Sequence, residues 1–291
     1  MAYGRRVRRR SVPAVLTAAL LAGGAAACDS GSDPGGKETA DPRTSTDAEA
    51  NGGGGAAPAK TPTPDPERIP RTAAQAERLI GDIIAGPRHF GPEAVRATPY
   101  ESDPARWTVL GESCAWRTED LPDDVLATRT RYLEVPAADG KGAIELSATV
   151  TVHRTTLDAA WEQARMLEEA VGCPEQTLRP GERLTGLRSI ALARGEGAND
   201  SSDDSLSESG ECVSDSRGGP YPYSWDQATF GPVVVGVSAC GGEKRGAEEV
   251  RQLTVEPLVR MLLGAEEAIA VEDGGGGGDG GGKSADRRGG A

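Results

Sequence analysis

Over residues 71–85 apolar side chains recur at helical spacing, and Ala76, Leu79, Ile80 and Ile83 form a stripe along one side. Thr72 with Gln75 three positions on reads as a capping box, and Gly86-Pro87 ends the element. From Ile144 to His153 the period drops to two. Ile144, Leu146, Ala148, Val150 and Val152 point one way, while Glu145, Ser147, Thr149, Thr151 and His153 point the other. Strict alternation predicts a strand with one buried and one wet face. Trp107–Trp116, Thr128–Val135, Leu184–Ala193, Ser224–Phe230 and Val233–Ala239 read as further strands. A second helix is predicted over Leu157–Val171, capped by Thr155 or Thr156 and stopped by Gly172. Its expected inner face is Leu157, Ala160, Trp161, Ala164, Leu167 and Val171. A third helix, Ala247–Leu263, turns Val250, Leu253, Leu258, Met261 and Leu262 inward, and Pro257 is expected to kink it. Strands outnumber helices. The pattern therefore predicts an α+β fold, with a single domain over 71–265 in which a mainly antiparallel sheet packs on two or three helices.

On either side of this body the pattern stops. Residues 29–70 are built of Gly, Ser, Thr, Asp and Pro, which bury too little surface to offset their ordering entropy. As a disordered linker these 42 residues would span roughly 35 Å. Residues 266–291 read as a disordered glycine-rich tail. Forty glycines and twenty prolines against two phenylalanines agree that much of the chain is not core. The first 27 residues carry Arg5, Arg6, Arg8, Arg9 and Arg10, then an uncharged stretch, Val12–Ala27, too short to span a bilayer. This is the pattern of a secretory signal peptide. Its end, Ala25-Ala26-Ala27-Cys28, resembles the bacterial lipobox, with Ala25 where Leu is usual. The resemblance implies diacylglyceryl transfer to the Cys28 sulfur and cleavage before it. Two acyl chains hold stably, because each buried methylene contributes about 0.8 kcal/mol. The expected address is the extracytoplasmic face of the cell membrane, with 28–70 as a lipidated linker.

Charge narrows the partners. Removal of the five signal-segment arginines takes the formal charge from −13 to −18, which argues against nucleic acid as a partner. With Cys28 set aside, Cys114, Cys173, Cys212 and Cys240 remain, an even number that predicts two disulfides in an oxidising compartment. Three pairings are open. No C-x-x-C occurs and the histidines are His89 and His153, so neither a metal nor another cofactor is expected.

Candidate catalytic motifs fail on context. Gly111-Glu112-Ser113-Cys114-Ala115 has the outline of a nucleophile elbow, but His153 and His89 both read as solvated surface groups rather than bases. The paired carboxylates Glu119-Asp120, Asp123-Asp124, Glu168-Glu169 and Glu248-Glu249 read as a solubilising surface. Asp200–Asp204 with Glu208 reads as a flexible acidic loop without EF-hand spacing. Residues 277–284 satisfy the Walker A letters, yet polyglycine stands where that loop needs a strand, so no nucleotide is expected. The expectation is a chain that is not an enzyme. Trp107, Trp116, Trp161 and Trp225 all lie near half-cystines, where they either pack over disulfides or line an apolar groove. Tyr221-Pro222-Tyr223-Ser224-Trp225 reads as a groove rim, so Tyr221, Tyr223, Trp225 and Trp161 are the candidate ligand-binding residues.

An alternating strand leads into a Trp-bearing helix ending at Cys173. Then come Cys212, a valine-rich strand ending Val237-Ser238-Ala239-Cys240, and an amphipathic closing helix. This order resembles the PknH-like extracellular domain, the sensor region of a mycobacterial receptor kinase that also occurs in lipoproteins, over about Trp107–Leu263. The resemblance implies sequential disulfides, Cys114–Cys173 and Cys212–Cys240. The anchor, the long spacer, the disulfide-stapled domain and the shortage of catalytic residue types predict a membrane-tethered, non-enzymatic ligand-binding or sensor-like module for an envelope lipid, a cell-wall fragment or a partner protein. The alternative is an envelope protein–protein interaction or assembly factor without a small ligand.

Overall fold

A computed structural model describes residues 62–197 and 199–271. The expected signal peptide, Cys28, most of the expected linker and residues 272–291, including the Lys283-Ser284 pattern, lie outside the described residues.

Among the described residues three α-helices and ten strands follow one another. Helix α1 is Ala73–Ile83, with the Thr72 hydroxyl accepting from Gln75 N–H and the Gln75 amide oxygen accepting from Thr72 N–H. Strands β1 (Val95–Glu101), β2 (Arg106–Leu110), β3 (Trp116–Asp120), β4 (Val125–Val135) and β5 (Ile144–His153) come next. Helix α2 (Thr156–Gly172) leads to β6 (Gln176–Arg179), β7 (Glu182–Ala193), β8 (Asp204–Ser214), β9 (Gly218–Phe230) and β10 (Val233–Cys240), and α3 (Ala247–Ile269) closes the fold. Eight strands form an antiparallel sheet in the order β1-β4-β5-β10-β9-β8-β7-β6, while β2 and β3 form a separate hairpin. The fold class is the one the alternation predicts.

The sheet has two unlike faces. Leu133, Leu146, Val150, Phe230, Val235 and Val237 are buried on one of them with Ile80 of α1 and Met261 of α3. Helix α3 continues through Pro257 without ending there and runs six residues past Leu263. Residues assigned to the linker complete this layer. Asp65 N–H donates to Ile269 O at 2.7 Å, Val271 N–H to Thr63 O at 2.8 Å, and the Arg68 guanidinium to Ala270 O at 3.0 Å. Residues 63–70 and 266–271 thus join the folded body beyond the expected 71–265. Backbone hydrogen bonds hold its margin, and a Pro-rich segment without apolar periodicity gives no sign of them.

Two local expectations need correction. Trp107–Trp116 is not one strand: Gly111 N–H donates to Ala115 O at 2.9 Å, and the chain turns there between β2 and β3, with Cys114 at φ 56°. Of the residues read as an acidic loop, Asp200–Asp203 do lie outside any strand, but Asp204 and Glu208 belong to β8, paired on both sides by β7 and β9. Its Leu206, Glu208 and Cys212, spaced by even numbers of residues, are buried.

The disulfides are Cys114–Cys173 and Cys212–Cys240. They close loops with sequence separations of 59 and 28, for which chain entropy gives about 4 and 3.5 kcal/mol. The first joins the β2–β3 turn to the end of α2. The second joins β8 to β10 past the intervening β9.

The asymmetry of the sheet gives a stability test. Phe230→Ala should cost about 3–5 kcal/mol in urea unfolding, because it empties fully buried core. Thr149→Ala, on the opposite face of β5, should cost about 1 kcal/mol or less. Equal losses would show that both faces are core.

Candidate functional site

The polar face of β5, expected to be wet, is roofed. Only Arg154 and Thr155 separate His153 from α2, so the helix turns back over the strand it follows. Thr155 caps it, its hydroxyl accepting from Asp158 N–H at 3.1 Å. Beside α2 lies the β2–β3 hairpin, fastened by Cys114–Cys173, by Thr177 N–H to Cys114 O at 2.8 Å and by Trp116 Nε1 to Gln176 Oε1 at 2.8 Å. Between this roof and the sheet lies a cleft of about 610 Å³.

Its floor is a ladder of hydroxyls. Thr128 and Thr151 stand opposite one another and bond at 2.9 Å, Thr130 and Thr149 at 2.8 Å, and Ser147 and Ser238 at 2.7 Å. A hydroxyl has one proton and two lone pairs, so each pair has one proton beyond its mutual bond, which at Thr128 is directed to Val150 O at 3.5 Å, and lone pairs left to accept. Gly236 opens the floor: a Cβ there would meet Trp225 Nε1 at 3.5 Å, an ordinary contact. The walls are aromatic, with Trp107 and Trp116 from the hairpin and Tyr223 and Trp225 from β9.

Besides Glu101, three glutamates reach the cleft. Glu162 Oε2 lies 2.5 Å from Nε2 of His153, which is fully buried rather than solvated, with the Trp107 ring edge-on at 6.4 Å. His153 Nδ1 has no partner among the described residues. Burial pushes the Glu169 carboxyl up to about 7; the Arg165 charge opposes the shift, and Glu162 and Glu208 add to it. Glu169 Oε2 is buried without a hydrogen-bond partner. Burial also raises Glu208, against the Ser189 hydroxyl that donates to its Oε2 at 3.0 Å. The phenol of Tyr223 is driven well above its ordinary value by burial.

The candidate ligand residues divide. Tyr223 and Trp225 line the cleft. Tyr221 does not: its hydroxyl donates to Arg217 O at 2.9 Å, and its ring packs near Cys212 and Cys240. Trp161 is 60% exposed, with Leu157 at 66% and Val171 at 86%. The roll expected for α2 is therefore corrected. Glu162, Met166 and Glu169 face the cleft, and the helix's fully buried residues are Ala159 and Gln163. Gln163 Oε1 accepts from Gln227 Nε2 at 2.8 Å, fastening helix to sheet. An apolar stripe is not core when the surface beneath the helix is a row of hydroxyls. The short β5–α2 connection was the available signal, because it lays the helix over the polar face.

Among the described residues no group of three or more His, Cys, Asp and Glu could hold a metal ion, and no helix is long and apolar enough to cross a membrane. No family model matches the chain, and no curated protein matches it.

Glu169 offers a titration test. Its folded value near 7 lies above its ordinary 4.5. The ionised form therefore destabilises the fold increasingly between pH 4.5 and 7, and by a constant amount above. Carboxyl-carbon NMR should show one glutamate with a midpoint near 7. Glu169→Gln should raise Tm by roughly 2–6 °C at pH 8 and leave it unchanged at pH 4.5. A midpoint below 5 would contradict this environment.

Proposed function

We propose that this chain is a lipid-anchored extracytoplasmic module that binds a ligand, without chemical conversion, in the cleft between the sheet and its roof. The cleft carries the reading. Its volume of about 610 Å³ is within the usual range of small-ligand sites, and its lining joins indole and phenol rings to a floor of hydroxyls and several charged side chains. A roof attached by a disulfide and polar contacts leaves that space open. The arginine-rich start and the Ala-Ala-Ala-Cys end of the signal segment support anchoring at Cys28. Two disulfides suit an oxidising compartment. The resemblance to the PknH-like extracellular domain supports a sensor-like role, with an envelope lipid or cell-wall fragment as the ligand.

A second reading has one observation in its favour. The exposed Leu157, Trp161 and Val171 stripe on α2 is a surface a protein partner could cover, as an envelope interaction or assembly factor would require. Crosslinking on intact cells separates the two, since a defined protein adduct through Trp161 favours this alternative.

Envelope extracts titrated into the purified chain should change its tryptophan fluorescence. Gly236→Val, which keeps the strand and raises a side chain into the floor, should weaken that response at least about fivefold. A flat response to every fraction would remove the small-ligand reading. Anchoring is tested separately: Cys28→Ala should move the exported chain from the membrane fraction to the soluble fraction, and continued membrane association would reject the lipid anchor.

A further inference from the structure

The charges around the cleft do not balance. Glu101 is held by the Arg131 guanidinium at 2.9 Å, Arg106 by Asp120 at 2.6 Å, Arg179 by Glu182 at 2.8 Å, and Glu162 by His153. Glu169 and Glu208 form no ion pair among the described residues, although Glu208 is only 7% exposed. Arg165, four residues before Glu169, is exposed and forms none either. Glu208 has one neutral hydrogen bond, from Ser189, and Glu169 Oε2 has none. Two carboxylates thus face a cavity in which neither has a contact ion pair, Arg165 acting on Glu169 across the same cleft without bridging to it, an arrangement that costs free energy unless a cation or protons complete it. The same cleft presents an aromatic face. Trp225 stands opposite Glu208 in the β8–β9 register, so both project from the same face of the sheet, and Gly236 leaves the floor beside the indole bare.

We propose that this cleft takes a ligand bearing a cationic nitrogen, an amine or quaternary ammonium, which packs on the Trp225 ring with Glu169 and Glu208 as its counter-charges. The inference rests on the reading of the cleft as a binding site and names its ligand class. Cation–π contact and paired carboxylates reinforce each other in a desolvated pocket. An anionic ligand would meet Glu162, Glu169 and Glu208 together. A neutral polyol would be served by the hydroxyl floor but would leave both carboxylates uncompensated.

Binding is then linked to protons. The groups facing Glu169 are Glu162 and Arg165 on α2, Glu208 on β8, Arg179 on β6, Tyr223 on β9, and His153 of β5 through Glu162. A cation favours the ionised carboxylates, so its affinity rises with pH across the range in which Glu169 loses its proton, by at most about tenfold per pH unit.

The test uses the full chain and two probes of equal shape, choline and its neutral isostere 3,3-dimethyl-1-butanol, followed by tryptophan fluorescence at pH 8. Choline should bind at least about tenfold more tightly than the alcohol. Glu169→Gln and Glu208→Gln should each weaken choline about fivefold or more and leave the alcohol within about twofold. Choline affinity should fall from pH 8 to pH 6, less so in Glu169→Gln. Thermal melts establish that each variant is folded. Equal affinity for the two probes, insensitivity to both glutamine substitutions, or no binding of choline would each overturn the proposal. If choline fails while envelope extracts still give a response that Gly236→Val weakens, the cationic class is wrong and the binding cleft stands. If both fail, the cleft reading falls too.

Discussion

The Cys114–Cys173 bond ties the β2–β3 turn to the end of α2, and the space between sheet and roof depends on that tie. Burial alone holds α2 poorly. Its fully buried residues are Ala159 and Gln163, whereas α3 buries Val250, Met261, Leu262 and Ile269 among others. Each large apolar side chain removed from water contributes about 1.5–3 kcal/mol, and α2 has none fully buried. A covalent bond, the Gln163–Gln227 hydrogen bond and the His153–Glu162 contact take the place of a greasy seam. Such fasteners act at points. An apolar seam would draw helix and sheet together along their length and leave no cleft.

The sheet can support such a roof because its two faces divide the work. Leu146, Val150, Val235 and Phe230 pack against α1 and α3, and this layer supplies the hydrophobic stabilisation. Thr128, Thr130, Thr149 and Thr151 keep the β-branched shape that suits strands and satisfy their hydroxyls pairwise across neighbouring strands. A polar floor can therefore be covered without leaving its groups orphaned. The lone pairs of each pair, and the spare proton of the Thr130–Thr149 and Ser147–Ser238 pairs, stay available.

This division explains what was legible in the chain. Strand β5 shows at once, because Ile144 through His153 alternates without a fault, and α1 shows because the Thr72–Gln75 box and the Gly86-Pro87 stop agree with its stripe. Periodicity tells which residues share a face and is silent on what covers that face. For that reason Thr149 and Thr151 read as wet, His153 as solvated, and Leu157 and Trp161 as core. The same silence hid Glu169, which looks like surface charge beside Glu168 until α2 is laid over the floor. Strand β8 was lost for another reason. Its Ser, Glu and Gly residues have poor strand propensity, and its hydrogen-bonded neighbours β7 and β9 override that local preference. Tyr223 and Trp225 were found through the crowding of aromatics and proline in one short stretch. Tyr221, two residues earlier in the same strand, belongs instead with Cys212 and Cys240.

What remains is why the fold keeps unfavourable groups at its centre. A carboxyl pushed up to about 7 and a buried carboxylate held by a single serine make the empty cleft less stable than a cleft of alanines would be. The apolar layer on the opposite face and the two disulfide loops supply stability without drawing on any group that lines the floor. Local agreement between sequence and structure breaks at Glu169, Glu208 and the exposed α2 stripe, and these are the places where the chain departs from the demands of its own folding. Departures of this kind are what the proposed binding role would leave behind, because selection for stability alone would have favoured packed apolar side chains there.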